Sequence, residues 1–449
     1  MNEIRGWLDR LVNKQGAVQS WADRRRVEAL ELVAQAGNDA AWIGLSRHCN
    51  GFVREVAVRE LNRTRSPDAL VALIDRLNDW VPQVRDLAAA GLKQYLSPSR
   101  APALLAALEP LIALEARQRV DHGPTLMAVR TVLQSPLVRE EVYRHFLTRQ
   151  GKAARYLFDL LLECDAEPEA LLRAALAHRE LTVRLMAVAA CKQLPAYQAR
   201  PLLAEALPRP GAIVRVCVLR ALLPLLDDPR DVLRDALLDA SRGVRGFACW
   251  AAPRSGLDAA ALLTERLQGD MPVTKKGWLG ILGLADELNV ELDMQWLEKA
   301  LRSDYPTVRE SAVLQLRDGH LSLLFEMLDD PSDRVFSASI ARLGKQPWSS
   351  LKELDSKLSQ RWHALPAARR EAILGLLPAW QQLAFLLARL DAETDLQAFW
   401  LRQLAHWCDR QYLMVDPVTP RIEREAAAEQ LMQLAAQGLL SIEKVQRIL

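Results

Sequence analysis

Residues 229–252 read PRDVLRDALLDASRGVRGFACWAA, and this stretch decides the fold. Its first half sets Val232, Leu233, Ala236, Leu237 and Leu238 at spacings of three and four, the buried stripe of an amphipathic helix. Ser241-Arg242-Gly243 interrupts the stripe. Val244 then opens a second helix carrying Phe247, Ala248 and Ala251, with alanine where two helices cross closely. Pro229 follows the acidic turn Asp227-Asp228. Pro82, Pro306 and Pro331 likewise fall between helices, where a missing N–H costs little. No segment alternates with period two long enough to suggest a sheet.

The second helix of this stretch opens with a phrase that recurs: Val-Arg, an apolar residue at the fifth position, another at the ninth. Clear copies begin at Val53-Arg54, Val84-Arg85, Val183-Arg184, Val214-Arg215, Val244-Arg245 and Val308-Arg309. Their fifth positions are Ala57, Ala88, Ala187, Val218, Ala248 and Ala312, and their ninth are Leu61, Leu92, Cys191, Leu222, Ala252 and Leu316. The spacing is 31 residues from Val53 to Val84 and from Val183 to Val214, and 30 from Val214 to Val244. A fixed period of this size means stacked helical units. Worn copies fill the gaps at Ala154-Arg155, Thr274-Lys275, Val335-Phe336, Ala368-Arg369 and Leu396-Gln397, and an off-register one at Met127-Ala128-Val129-Arg130. The expected fold is therefore all-α, a solenoid of stacked antiparallel helix pairs with about ten to twelve units.

The phrase and its period resemble the HEAT-repeat family, specifically the short bacterial HEAT-like repeats of the phycobilin-lyase type. The resemblance covers roughly residues 41 to 405 and implies an armadillo-like helical superhelix. It also implies an acidic turn before the Val-Arg pair, matched by Asp79, Asp239, Asp304 and Asp330, while His48 and His178 stand in that region of two other copies. For function the family is broad, including scaffolds, transport receptors, lyases and DNA glycosylases.

Half of the 449 residues are hydrophobic and a quarter charged, with a net charge of +2. No segment has the cationic bias of a nucleic-acid-binding groove. Six singly placed cysteines with no C-x-x-C pair favour a reducing compartment. Glu3 and Asp9 break any leader-like apolar run, and Pro102, Glu109 and Pro110 interrupt the apolar stretch 101–114, so a cytoplasmic protein without a membrane span is expected. Residues 1–40 read as an N-terminal helical cap, with Ile4, Trp7, Leu8, Leu11 and Val12 on one face, and 41–410 as the repeat array. In 411–449, Thr419 is a candidate N-cap and Gly438 a helix stop. That segment reads either as a cap or, through Leu439, Leu440, Ile442, Val445, Ile448 and Leu449, as a docking segment.

Two sets of residues draw functional interest. Arg54, Arg85, Arg155, Arg184, Arg215, Arg245, Arg309 and Arg369 share one position and would stack in a row. They form either an anion-binding stripe or internal partners of acidic turns and helix-terminal carbonyls, and the resemblance supports the second. Seven of the twelve tryptophans lie from Trp278 onward. Trp278 and Trp400 match the fifth position of the phrase and read as core. Trp296, Trp348, Trp362, Trp380 and Trp407 are candidate partner-binding anchors. The histidines offer no metal spacing, and no Walker A phrase or G-x-S-x-G elbow is present. Gly277, Gly280 and Gly283 read as close-packing positions in a helix.

The expected function is a non-catalytic protein-binding scaffold, with no cofactor and no nucleic acid or membrane partner. A DNA-repair protein resembling the HEAT-like alkylpurine glycosylases is a second reading, against which stands the lack of any tryptophan followed by aspartate one helical turn on. A lyase or cofactor-handling protein resembling the phycobilin lyases is a third.

Overall fold

The computed structural model describes residues 21–351, 354, 358, 362–411, 416 and 418–449. The proposed cap residues Ile4, Trp7, Leu8, Leu11 and Val12 lie outside them. Among the described residues the secondary structure is entirely helical, an all-α, solenoid-like stacking of neighbouring helices. The chain divides into two compact units, Met1–Asp227 and Asp228–Leu449, a boundary inside the array of copies rather than at its ends.

In the first unit, Asp39–Leu45 pairs with Gly51–Thr64 and Pro67–Arg76 with Pro82–Lys93. Further on, Arg139–Thr148 pairs with Gly151–Glu163, Glu169–Leu176 with Leu181–Cys191, and Ala196–Ala206 with Ala212–Leu222. Between these two groups the pairing lapses into Ala101–Ala106, Leu108–Ala113 and the helix Gly123–Leu133, which carries the off-register Val129-Arg130.

The second unit begins with Arg230–Leu237 against Arg242–Ala251, so the break between them falls at Asp239–Ser241, slightly earlier than the glycine suggests. Ala259–Gln268 then packs on Lys275–Leu288 and Met294–Leu301 on Pro306–Gln315. Leu321–Glu326 packs on Asp333–Leu343, and Ala379–Ala392 on Gln397–Arg410. The helix ends follow local chemistry. Asn50 and Ser66 cap their helices through side-chain oxygens, and Pro82 and Pro306 occupy first-turn positions. Thr274 is itself an N-cap, accepting from Gly277 N–H, so its worn copy enters the helix only at Lys275.

The nine-residue phrase is the core. Val53, Ala57 and Leu61 are fully buried, as are Val84, Ala88 and Leu92; Val183, Ala187 and Cys191; and Val308, Ala312 and Leu316. Each such valine or leucine contributes about 1.5–3 kcal/mol through burial. Gly280 and Gly283 are close-approach positions: a β-carbon would collide with the Leu238 carbonyl at the first and with the Arg245 guanidinium at the second. The copy at Ala368 differs from the others, because Ala368 is exposed and the buried stripe of its helix falls instead on Ile373 and Leu374.

At the C-terminus, Arg421–Ala436 starts after Pro420 without a side-chain cap. Thr419 is not the N-cap, because its hydroxyl donates to Asp416 Oδ2 at 2.6 Å. Gly438 does stop the helix, at φ +74°. Val445 and Ile448 are buried on a last short helix that packs against Gln397–Arg410 and Arg421–Ala436, and Leu439, Ile442 and Leu449 remain exposed.

Candidate binding surface and the arginine row

The valine of each Val-Arg pair points into the core, which sets the arginine beside the turn that precedes its helix. Arg85 Nη1 donates to Asp79 O, Arg245 Nη1 to Asp239 O and Arg309 Nη1 to Ser303 O, each at 2.8 Å. Arg54 Nη1 reaches His48 O at 2.9 Å and Arg215 Nη1 reaches Arg209 O at 3.4 Å. In all five the acceptor lies six residues upstream. A turn carbonyl at the edge of a packed helix pair needs a donor, and a long cationic fork supplies one.

Two arginines also grip a carboxylate in the next turn. Arg54 binds Asp79 through Nε at 2.9 Å and Nη2 at 2.7 Å; Arg309 binds Asp330 through Nε at 2.6 Å and Nη2 at 2.9 Å. Burial pushes the Asp79 carboxyl up. The Arg54 bond, the Val81 N–H and the charges of Arg54 and Arg76 outweigh it, leaving the pKa below the ordinary 3.8. At Asp330 burial is likewise overcome by Arg309, the Ser332 N–H and the charge of Arg369. Arg245 pairs instead with Glu287 at 3.3 Å, over the space that Gly283 leaves open. Arg184 crosses to Pro210 O at 2.5 Å, and Arg155 turns to Gly151 O at 3.3 Å.

Arg369 repairs a gap. The copy at Val335 carries Phe336 where arginine would stand, and the carbonyl six residues upstream of Phe336 is that of Asp330. Arg369 Nη1 donates to that oxygen at 2.6 Å, while its guanidinium carbon lies 4.6 Å from the Phe336 ring centroid and Nη2 meets Asp333 at 2.8 Å. The cation missing from one copy is thus supplied by the next.

The turn residue has the same duty in several copies, accepting from the N–H two residues on. Asp79 accepts from Val81 at 3.0 Å, Asp239 from Ser241 at 2.7 Å and Asp330 from Ser332 at 2.8 Å. His48 and His178 do the same through Nδ1, accepting from Asn50 at 3.1 Å and Glu180 at 3.0 Å. An imidazole whose Nδ1 accepts is the Nε2–H tautomer, and His178 Nε2 meets Phe146 O at 2.9 Å. Asp304 does not hold this position. Ser303 does, with Oγ accepting from Tyr305 N–H at 3.3 Å, because the turn is set five residues before the valine and not four.

The tryptophan expectation needs correction. Trp296 is buried edge-on to Trp278, with ring centroids 5.6 Å apart. Trp362 is 2 % exposed and packs on Trp400 and Phe385, both at 5.2 Å. Trp407 is enclosed and donates its indole N–H to Gln382 Oε1 at 3.1 Å. These three rings are buried, so none presents an exposed face as an anchor for a partner. Trp380 is half-buried, and Trp348 is 39 % exposed.

The accessible rings lie elsewhere. Trp80 is 76 % exposed, with the Arg119 guanidinium carbon 3.7 Å from its centroid and Arg119 Nη1 held on Asn78 O at 3.0 Å. Trp250 is 57 % exposed, stacks on Phe247 at 5.6 Å and carries Arg254 at 3.9 Å. The signal was in the register: Trp80 sits in a turn, one residue past Asp79, and Trp250 at the seventh position of the phrase, off the buried stripe. The surface of the first unit also carries relief. One hollow of about 400 Å³ is lined by Arg139, Tyr143, Asp165 and Leu171, and another of about 380 Å³ by Ile112, Lys152, Arg155 and Tyr156.

Among the described residues no group of His, Cys, Asp and Glu is arranged to hold a metal ion, and no helix is long and apolar enough to cross a membrane. Cys191 and Cys408 are buried, and burial raises each thiol to about 11, far from a reactive thiolate. No protein-family model matches the chain, and comparison with curated proteins gives no match.

Proposed function

We propose that this protein is a non-catalytic scaffold of HEAT-like repeats, acting in the cytoplasm, which binds a protein partner through surface aromatics on its helix pairs. The observation that carries this reading is that two of the exposed tryptophans, Trp80 and Trp250, hold an arginine close against the ring, at 3.7 and 3.9 Å, outside the core. Tryptophan and arginine are the side chains most enriched at interface hot spots. Two supports are secondary. The phrase arginines are committed to carbonyls and carboxylates of the fold, which leaves them poor anion ligands. All six cysteines are free, as in a reducing compartment.

The test is affinity isolation from the source cell with the full chain as bait, alongside W80A and W250A. A single stoichiometric protein is expected, with at least one substitution weakening its binding about tenfold or more. Recovery of nucleic acid, or of a protein partner held equally by both variants, would overturn the reading.

A further inference from the structure

The second unit contains a small donor-rich niche that the scaffold reading does not use. Trp362, Arg370, Glu371, Gln403, Trp407 and Arg410 line a hollow of about 30 Å³ on the helices Ala367–Leu374 and Gln397–Arg410. That is room for roughly two waters, or for the two oxygens of one carboxylate. Among the described residues the buried Trp362 indole N–H has no acceptor, an arrangement that costs free energy unless something fills it. Its two deeply buried neighbours are satisfied by contrast: Trp400 donates to Glu393 at 2.8 Å and Trp407 to Gln382.

Arg370 is the second unspent donor. Its guanidinium carbon lies 5.2 Å from the Trp362 centroid and 5.8 Å from that of Phe399, so it sits against two rings. Among the described residues no carbonyl or carboxylate accepts from it, in contrast to its neighbour Arg369. Glu371 is held at the rim, 3.7 Å from His406 Nε2 and 3.7 Å from Arg410 Nη1, which leaves Arg370 as the inner cation and the niche net positive. A planar fork against two aromatic rings, beside a dry N–H, suits a planar oxygen ligand with two acceptor atoms.

We propose that this niche binds a carboxylate, which accepts from Arg370 and the Trp362 indole N–H, with Gln403 on the adjoining wall. In the context of the scaffold reading, on which this part rests, the carboxylate is an acidic side chain of the partner. The same chemistry would serve a free small carboxylate.

The test follows the Trp362 indole resonance in the full-length, ¹⁵N-labelled protein, identified by its disappearance in W362F. Acetate titration against matched sodium chloride should move that proton downfield and saturate. R370Q should weaken the apparent affinity about tenfold or more, with R370K and Q403L as variants that keep the charge or the fork. If an acetylated Gly-Asp-Gly amide competes where its asparagine analogue does not, the source is a partner side chain; if acetate alone binds, it is a small molecule. No movement with acetate, or an unchanged response in R370Q, would overturn the site. Because the readout needs no partner, its failure is separable from failure of the scaffold reading.

Discussion

The turns at Asp79 and Asp330, one in each compact unit, show what a turn in this fold requires. Both carboxylates are gripped bidentately by the arginine of the preceding copy, Arg54 in one case and Arg309 in the other. Both turns also need a second cation on the main-chain carbonyl. At Asp79 it comes from the turn's own copy, through Arg85; at Asp330 Phe336 has taken that place and Arg369 reaches back from the following copy. The recurrent feature is therefore the carbonyl contact, made six residues upstream by five of the arginines and supplied by Arg369 where Phe336 stands, while Arg155 and Arg184 turn to other carbonyls. The carboxylate is an addition that some turns have and others lack, as at Arg209, where a cation occupies the acidic position and Arg215 reaches its carbonyl.

The comparison can be broken hardest at Arg54. R54A removes the bidentate grip on the Asp79 carboxylate, whose side chain is 1 % exposed, leaving it Arg76 at 3.1 Å and the Val81 N–H, and should cost about 3–4 kcal/mol in urea unfolding. R309A should cost somewhat less, about 2–4 kcal/mol, because the Arg309 side chain is 13 % exposed and its pair is less completely desolvated. R369A removes a carbonyl contact, a ring contact and an exposed ion pair, for about 2 kcal/mol. F336R sharpens the point: with a cation restored to the copy itself, R369A should lose most of its effect. R85A, which frees only carbonyls, should cost about 1 kcal/mol.

Acid should reveal the same two turns. The folded pKa values of Asp79 and Asp330 lie below the ordinary 3.8, so each carboxylate stabilises the protein above that value and loses its contribution as pH falls through the folded pKa. Stability measured from pH 5 downward should fall less steeply in D79N than in the unsubstituted chain.

Much of the fold was legible because its signal is periodic. The buried valine, the fifth and the ninth positions follow directly from helix geometry, and Val53, Ala57 and Leu61 or Val308, Ala312 and Leu316 needed no tertiary information. The pairing of the arginines was legible in kind, since a planar donor beside a turn has few other uses. Its partners were not. That Arg369 serves the turn of another copy depends on a helix whose buried stripe runs through Ile373 and Leu374 instead of Ala368, a rotation set by packing. The imidazoles of His48 and His178 fill the acceptor place of an aspartate, which the acidic pattern alone does not suggest. Trp296 and Trp407 misled because a ring on a three-four stripe is core whatever its abundance, and Trp362 because Trp400 and Phe385 pack against it, while Trp80 and Trp250 fall off that stripe and were available to the same rule.

The most direct test is a double-mutant cycle on Arg54 and Asp79, followed by hydrogen exchange in the helices Gly51–Thr64 and Pro82–Lys93. R54M alone should loosen these helices by several kcal/mol, and R54M/D79L should restore much of the loss, because an apolar pair needs no counter-charge. If R54M leaves exchange unchanged while D79L is costly, the arginine is not the staple described here, and the row returns to being an unspent cationic surface.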